Sequence, residues 1–99
     1  MDSEESTLTI DKYGSKWWKN KRGKLHRLNG PARECFTGKK YWYQNGRLHR
    51  SDGPAFIHSD GYNQWWLNNV FYETKEDWFN ALSDEAKIKC LFSEDFLNG

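Results

Sequence analysis

Gly38-Lys39-Lys40-Tyr41-Trp42-Tyr43-Gln44-Asn45-Gly46-Arg47-Leu48-His49-Arg50-Ser51-Asp52-Gly53-Pro54-Ala55 is the stretch that decides the fold. Asn45-Gly46 stands between Tyr41-Trp42-Tyr43 and Leu48-His49, and Asn-Gly is the pair that best accepts the two positive φ angles of a type I′ turn. A two-stranded hairpin is therefore predicted, followed by a second turn at Ser51-Asp52-Gly53. Pairing through the Asn-Gly turn sets Trp42 opposite His49, and the two-residue period of a strand puts both on one face.

The same stretch recurs. Gly38-Lys39-Lys40-Tyr41-Trp42 is matched by Gly14-Ser15-Lys16-Trp17-Trp18 and by Gly61-Tyr62-Asn63-Gln64-Trp65, and Leu48 to Ala55 is matched by Leu25-His26-Arg27-Leu28-Asn29-Gly30-Pro31-Ala32. A step of 23 or 24 residues signals a repeat array. In the first copy one extra residue is absorbed if Asn20 faces Lys24 across Lys21-Arg22-Gly23, with Gly23 left-handed, which keeps Trp18 opposite His26. In the third copy Asn68-Asn69 takes the turn and Trp65 faces Tyr72, after which the glycine-proline segment is absent. Pro31 and Pro54 lie where short linking strands begin, so no ladder donor is lost. Thr7-Leu8-Thr9-Ile10 alternates and is expected to open the sheet.

Beyond Tyr72 the pattern turns helical. Thr74 caps a first helix, with Asp77 three residues on, and Ser83-Asp84-Glu85 starts a second that carries Ala86, Ile88, Cys90, Leu91 and Phe92. The expected fold is mainly β with a small α part: an elongated, twisted antiparallel sheet of repeated hairpins over residues 7–72, capped by C-terminal helices over 73–99. At 99 residues this is one domain. Such a cap would close the last exposed edge of the array.

Composition narrows the function classes. Aromatics make up 17% of the chain against 36% hydrophobic residues in all, so burial comes from large rings. No apolar run reaches the length of a membrane helix, and Met1 to Glu5 lacks the basic and apolar regions of a signal peptide, which predicts a soluble cytoplasmic protein with no membrane partner. Cys35 and Cys90 show no paired spacing and read as reduced and structural. The net charge of +1 conceals a division: residues 12–50 carry twelve Lys or Arg against one acid, whereas residues 51–99 carry nine acids against three lysines. That asymmetry points to an anionic partner for one end of the molecule.

At the level of Gly-x-x-φ-Trp-φ-x-Asn-Gly-x-Leu-His-Arg-x-Asp-Gly-Pro-Ala, residues 14–72 resemble the MORN-like repeats found in many phage and giant-virus proteins, and the Tyr72-x-Thr-x-Glu-Asp-Trp tail is similar to ends seen on those proteins. Ordinary MORN repeats carry a glycine after the histidine, where Arg27 and Arg50 stand here; the departure argues against a membrane-scaffold or lipid-binding role. The resemblance implies a non-enzymatic binding protein of viral type that captures or inhibits a host protein, a defence component among the candidates.

Both faces of the sheet are aromatic. Trp18, His26, Trp42, His49, Trp65 and Tyr72 share one; Trp17, Leu25, Tyr41, Tyr43, Leu48, Trp66 and Phe71 share the other. The helices are expected on the side of Leu48, Trp66 and Phe71, leaving part of the Trp-His face for a partner. Each His is expected to stack on its cross-strand Trp and to hydrogen-bond a turn residue such as Asn29 or Asp52. The spacing suggests no zinc site, no other cofactor and no catalytic partner for these rings. Arg27 and Arg50 either stack on Trp17 or Tyr41 and pair with the adjoining turn, or bind a partner.

The residues expected to meet that partner are Lys19, Lys21, Arg22 and Lys24 at the tip of the first hairpin, with Arg27, Lys39, Lys40, Arg47, Arg50 and Trp42. Together they would seat an acidic host surface, the basic tip steering and the aromatic patch supplying buried area. Single-stranded nucleic acid is the first alternative, since rings stack on bases while cations hold phosphates. Self-association as a homodimer through sheet edges and aromatic faces is the second.

Overall fold

The computed structural model describes residues 6–99. Asn45 and Gly46 adopt φ of 53° and 81°, and Asn68 and Asn69 adopt 49° and 69°, so both predicted tight turns are left-handed at each central residue. Gly23 is likewise left-handed at 78°. Asn20 N–H donates to Lys24 O at 2.9 Å and His26 N–H to Trp18 O at 2.9 Å, so the extra residue is absorbed in the turn.

The strands are β1 Thr7–Ile10, β2 Lys16–Lys19, β3 Arg33–Glu34, β4 Lys40–Tyr41, β5 Tyr43–Gln44, β6 Arg47–Leu48, β7 Phe56–Ile57, β8 Asn63–Leu67 and β9 Val70–Tyr72. Seven of them form one antiparallel sheet in the order β1-β2-β3-β4-β7-β8-β9, while β5 and β6 pair separately. Each repeat serves two rows. Its first strand begins against a linking strand, as Trp17 does opposite Arg33 and Tyr41 opposite Phe56. The strand then continues into the Asn-Gly hairpin, where Tyr43 faces Leu48 and His49 N–H donates to Trp42 O at 2.9 Å. At the other end of the sheet the linking strands turn back at 11–15, 35–39 and 58–62 through the left-handed Gly14, Gly38 and Gly61.

Successive repeats are stitched together by the histidines. His26 Nδ1 accepts the Asn45 N–H at 3.0 Å and His49 Nδ1 accepts the Asn68 N–H at 3.1 Å. The expected partners Asn29 and Asp52 are thus corrected: each ring reaches forward to the turn of the next copy, because the second strand of one hairpin lies alongside the first strand of the next. Arg27 N–H to Tyr43 O, at 3.1 Å, and Gly46 N–H to Leu25 O, at 2.8 Å, belong to the same seam.

The cap consists of α1 Lys75–Asn80, α2 Asp84–Cys90 and α3 Glu94–Asn98. Thr74 and Ser83 cap the first two as expected, accepting from Asp77 N–H and Ala86 N–H. The third helix adds to the two expected; Ser93 caps it by accepting from Phe96 N–H. Trp65, Trp78, Leu82 and Cys90 form the buried cluster, with Leu67, Tyr72, Phe79, Ala86 and Phe96 packed around it. The helices therefore cover the Trp65-Tyr72 side, which overturns their expected place over Leu48, Trp66 and Phe71. Trp78 decides the matter: fully buried, it packs on Trp65 with ring centroids 4.7 Å apart and donates its Nε1–H to Arg50 O at 3.2 Å. β1 and β9 are the outer strands, and α1 packs against β8 and β9 at the last end of the array. The whole measures 38 × 34 × 23 Å.

Candidate functional site

Arg27 and Arg50 are built in the same way. Each guanidinium lies over an indole, 3.9 Å from the Trp18 ring centroid for Arg27 and 4.0 Å from that of Trp42 for Arg50. Each Nη1 donates to the proline carbonyl four residues on, Pro31 at 3.2 Å and Pro54 at 3.1 Å. On the other side lies glycine backbone: a Cβ on Gly30 would stand 3.0 Å from Arg27 Cζ, and one on Gly53 would stand 2.8 Å from Arg50 Cζ. Leu-His-Arg-x-Asn/Asp-Gly-Pro-Ala is thereby explained as a clamp, with Ala32 and Ala55 fully buried beside it. The indoles are Trp18 and Trp42, not the expected Trp17 and Tyr41, because the arginine curls onto the helix-bearing side.

Arg50 does not belong to a partner surface. It is buried, its Nε donates to Asp52 Oδ1 and its Nη2 to Asp95 Oδ2, both at 2.7 Å, so its charge is consumed inside the fold. Trp42 is half-buried beneath it. Sequence reasoning missed Asp95 because the contact spans 45 residues.

The remaining cations separate into two groups. Lys19, Lys21, Arg22, Lys24 and Arg47 are exposed around the hairpin tips. The Asn20 side chain fixes that end: its Oδ1 accepts from Arg22 N–H at 2.9 Å and Lys24 N–H at 3.1 Å, and its Nδ2 donates to Asn45 Oδ1 at 3.2 Å. Lys21, Arg22 and Lys24 thus stand on a loop whose backbone is ordered, with Lys19 beside it at the end of β2. Lys39 and Lys40 lie elsewhere, at the start of the second copy's first strand, where Lys39 O closes the turn to Cys35 and Lys40 faces Glu34 and Ile57. The structure does not bring them to the tip.

Opposite the helices runs a row that the sequence only partly suggested. Trp17, Arg33, Tyr41, Phe56 and Gln64 are successive cross-strand partners from β2 to β8. The Arg33 guanidinium lies 4.9 Å from the Trp17 centroid and 5.1 Å from that of Tyr41, and Tyr41 and Phe56 stand 4.9 Å apart. Lys19 Nζ lies 5.6 Å over Trp17, joining the row to the basic tip. Arg33 was not singled out, although its place opposite Trp17 was the available signal. Burial raises the Tyr43 phenol above its ordinary value, so that group stays neutral on this face. None of these side chains belongs to the cluster under the helices.

Cys35 and Cys90 are free thiols; Cys90 is buried, and burial pushes its thiol up from its ordinary value. Among the described residues no three His, Cys, Asp or Glu side chains gather to hold a metal ion, and no helix is long and apolar enough to cross a membrane. No protein-family model matches the chain, and neither a curated protein nor a solved structure matches it.

Proposed function

We propose that this MORN-like repeat protein is a non-enzymatic binding protein of viral, phage type that captures or inhibits a host protein with an acidic surface in the host cytoplasm. The observation that carries the reading is the Asn20-fixed loop, with Lys19, Lys21, Arg22 and Lys24, beside the uncovered Trp17-Arg33-Tyr41-Phe56 row. An ordered loop backbone presents these charges without a cost for ordering the loop on binding, and the adjoining rings supply contact area. The repeat's resemblance to phage proteins supports the viral assignment. Arg33 lies against both Trp17 and Tyr41, and Phe56 leans on Tyr41, so the row presents the mixed aromatic and guanidinium surface that is enriched at protein interfaces.

Affinity capture from host lysate, with and without nuclease, tests this. The wild-type chain should retain a protein after nuclease treatment, and the double variant Lys21→Glu, Arg22→Glu should lose it. Unchanged capture by the variant overturns the role of the tip; capture abolished by nuclease transfers the surface to single-stranded nucleic acid.

A further inference from the structure

Arg33 is the half-buried arginine whose charge the fold leaves unanswered. Arg50 spends its guanidinium on Pro54 O, Asp52 and Asp95, and Arg27 donates to Pro31 O with Glu34 Oε2 at 3.6 Å. Arg33 makes no hydrogen bond and no ion pair among the described residues, and its Nε is enclosed without an acceptor. Glu34, the next residue on β3, cannot supply one. Alternation turns it to the other face of the sheet, where it stands beside Arg27. The row to which Arg33 belongs carries no acid either: its cross-strand members from β1 to β8 are Thr9, Trp17, Arg33, Tyr41, Phe56 and Gln64.

Rings surround the group. Trp17 and Tyr41 lie against it as described, and Tyr43, two residues beyond Tyr41, stacks on Tyr41 with centroids 6.3 Å apart. Nε is thereby shut off from water, whereas Nη1 and Nη2, equally without a hydrogen bond, stay open to solvent. Lys19 Nζ over Trp17 adds a second positive charge. A guanidinium that has lost part of its hydration attracts an anion more strongly than a solvated one, and its two terminal nitrogens match the two oxygens of a carboxylate. We propose that Arg33 is the anchor of the docking face, its Nη1 and Nη2 donating to one aspartate or glutamate side chain of the partner protein, whose stem lies against Trp17 and Tyr41. This rests on the reading of the chain as a binder of acidic protein surfaces, and it divides the labour within that surface. The exposed charges of the tip act on encounter, while the Arg33 pair, desolvated on docking, acts on the lifetime of the complex.

The probe is acetyl-Leu-Glu-Leu-amide, titrated at constant ionic strength into the labelled full-length protein, with acetyl-Leu-Gln-Leu-amide as the neutral match. The Arg33 Nε–H and Trp17 Nε1–H resonances should shift saturably with the Glu peptide while Arg22 Nε–H stays in place, and the Gln peptide should bind at least about tenfold more weakly. Arg33→Lys keeps the charge but not the fork, and should weaken the Glu peptide by a similar factor. In the complex with the captured protein, the same variant should raise the dissociation rate about tenfold and leave association within about twofold. Absent or unsaturable shifts, equal binding of the two peptides, full binding by Arg33→Lys or an unchanged dissociation rate overturns the proposal. Tighter binding of dimethyl phosphate than of the Glu peptide also overturns it and assigns the site to a nucleic-acid phosphodiester. A failed titration beside intact lysate capture removes the Arg33 anchor alone, whereas a normal titration with failed capture would sink the proposed function and leave the carboxylate site standing.

Discussion

His49 carries a stitch between repeats on a group that titrates near neutrality. Its Nδ1 must be unprotonated to accept the Asn68 N–H, and burial lowers its pKa below the ordinary 6.5. A proton therefore binds the unfolded chain more readily than the folded one. The stabilisation is complete above the unfolded value near 6.5 and is lost as pH falls from there through the lowered folded value. His49→Ala should cost about 1 kcal/mol at pH 7.5, the worth of one hydrogen bond with a solvent-accessible donor. His49→Asn places an acceptor near the same point without titrating. Thermal melts at pH 7.5 and 5.5 should show the wild type losing several degrees more than His49→Asn; parallel losses would exclude His49 as a source of the pH dependence.

At the scale of the element, the Gly-Pro loop behaves differently in its two copies although its sequence is nearly the same. A Cβ at position 30 or 53 meets the arginine guanidinium, so the cost depends on whether that group can withdraw. Arg50 cannot: Trp42, Pro54, Asp52 and Asp95 all hold it. Arg27 is held by Trp18 and Pro31, with Glu34 farther off, and is part-exposed. Gly53→Ala should thus cost about 1–3 kcal/mol, in the range of overpacking, and Gly30→Ala less than about 1 kcal/mol. Chemical denaturation of the two variants checks the ordering, and equal costs would show that the backbone, not the arginine, limits the site. The same contrast explains what sequence could convey. Asn45-Gly46 fixes the Trp42-His49 register locally, so the hairpin, its shared faces and the equivalent pair in each copy were legible. The partner of each histidine was not, because it belongs to the next copy and only the three-dimensional stacking of repeats selects it. The helical face was equally hidden: with rings on both sides, the choice falls to Trp78 and Asp95, which reach Arg50 across 28 and 45 residues. The five-residue α3 is too short to display a helical period, leaving Ser93-Glu94-Asp95 as its sole signal.

Across the whole molecule, the charge division read from sequence becomes a division of place. The sheet separates the cations at the hairpin tips from Lys39 and Lys40. From Lys39 to the turn after Gln44 the strand runs about 17 Å, roughly two Debye lengths at 0.15 M salt. Net charge alone would make the two groups equivalent, whereas docking through the tip makes them unequal once salt screens one from the other. Lys21→Gln with Arg22→Gln and Lys39→Gln with Lys40→Gln each remove two positive charges, so the pairs are matched in net charge. Gln also avoids the repulsion that an acid at position 40 would meet from Glu34 across the strand. At 0.15 M salt the tip pair should slow association with the captured protein by about tenfold and the Lys39-Lys40 pair by less than about twofold. At 0.01 M, where the screening length is about 30 Å, the two variants should converge because the field then spans the sheet. Association rates measured by surface plasmon resonance at the two salt concentrations decide between the readings. Equal slowing at 0.15 M would mean that the basic segment acts through its total charge and that the ordered tip has no special part in docking.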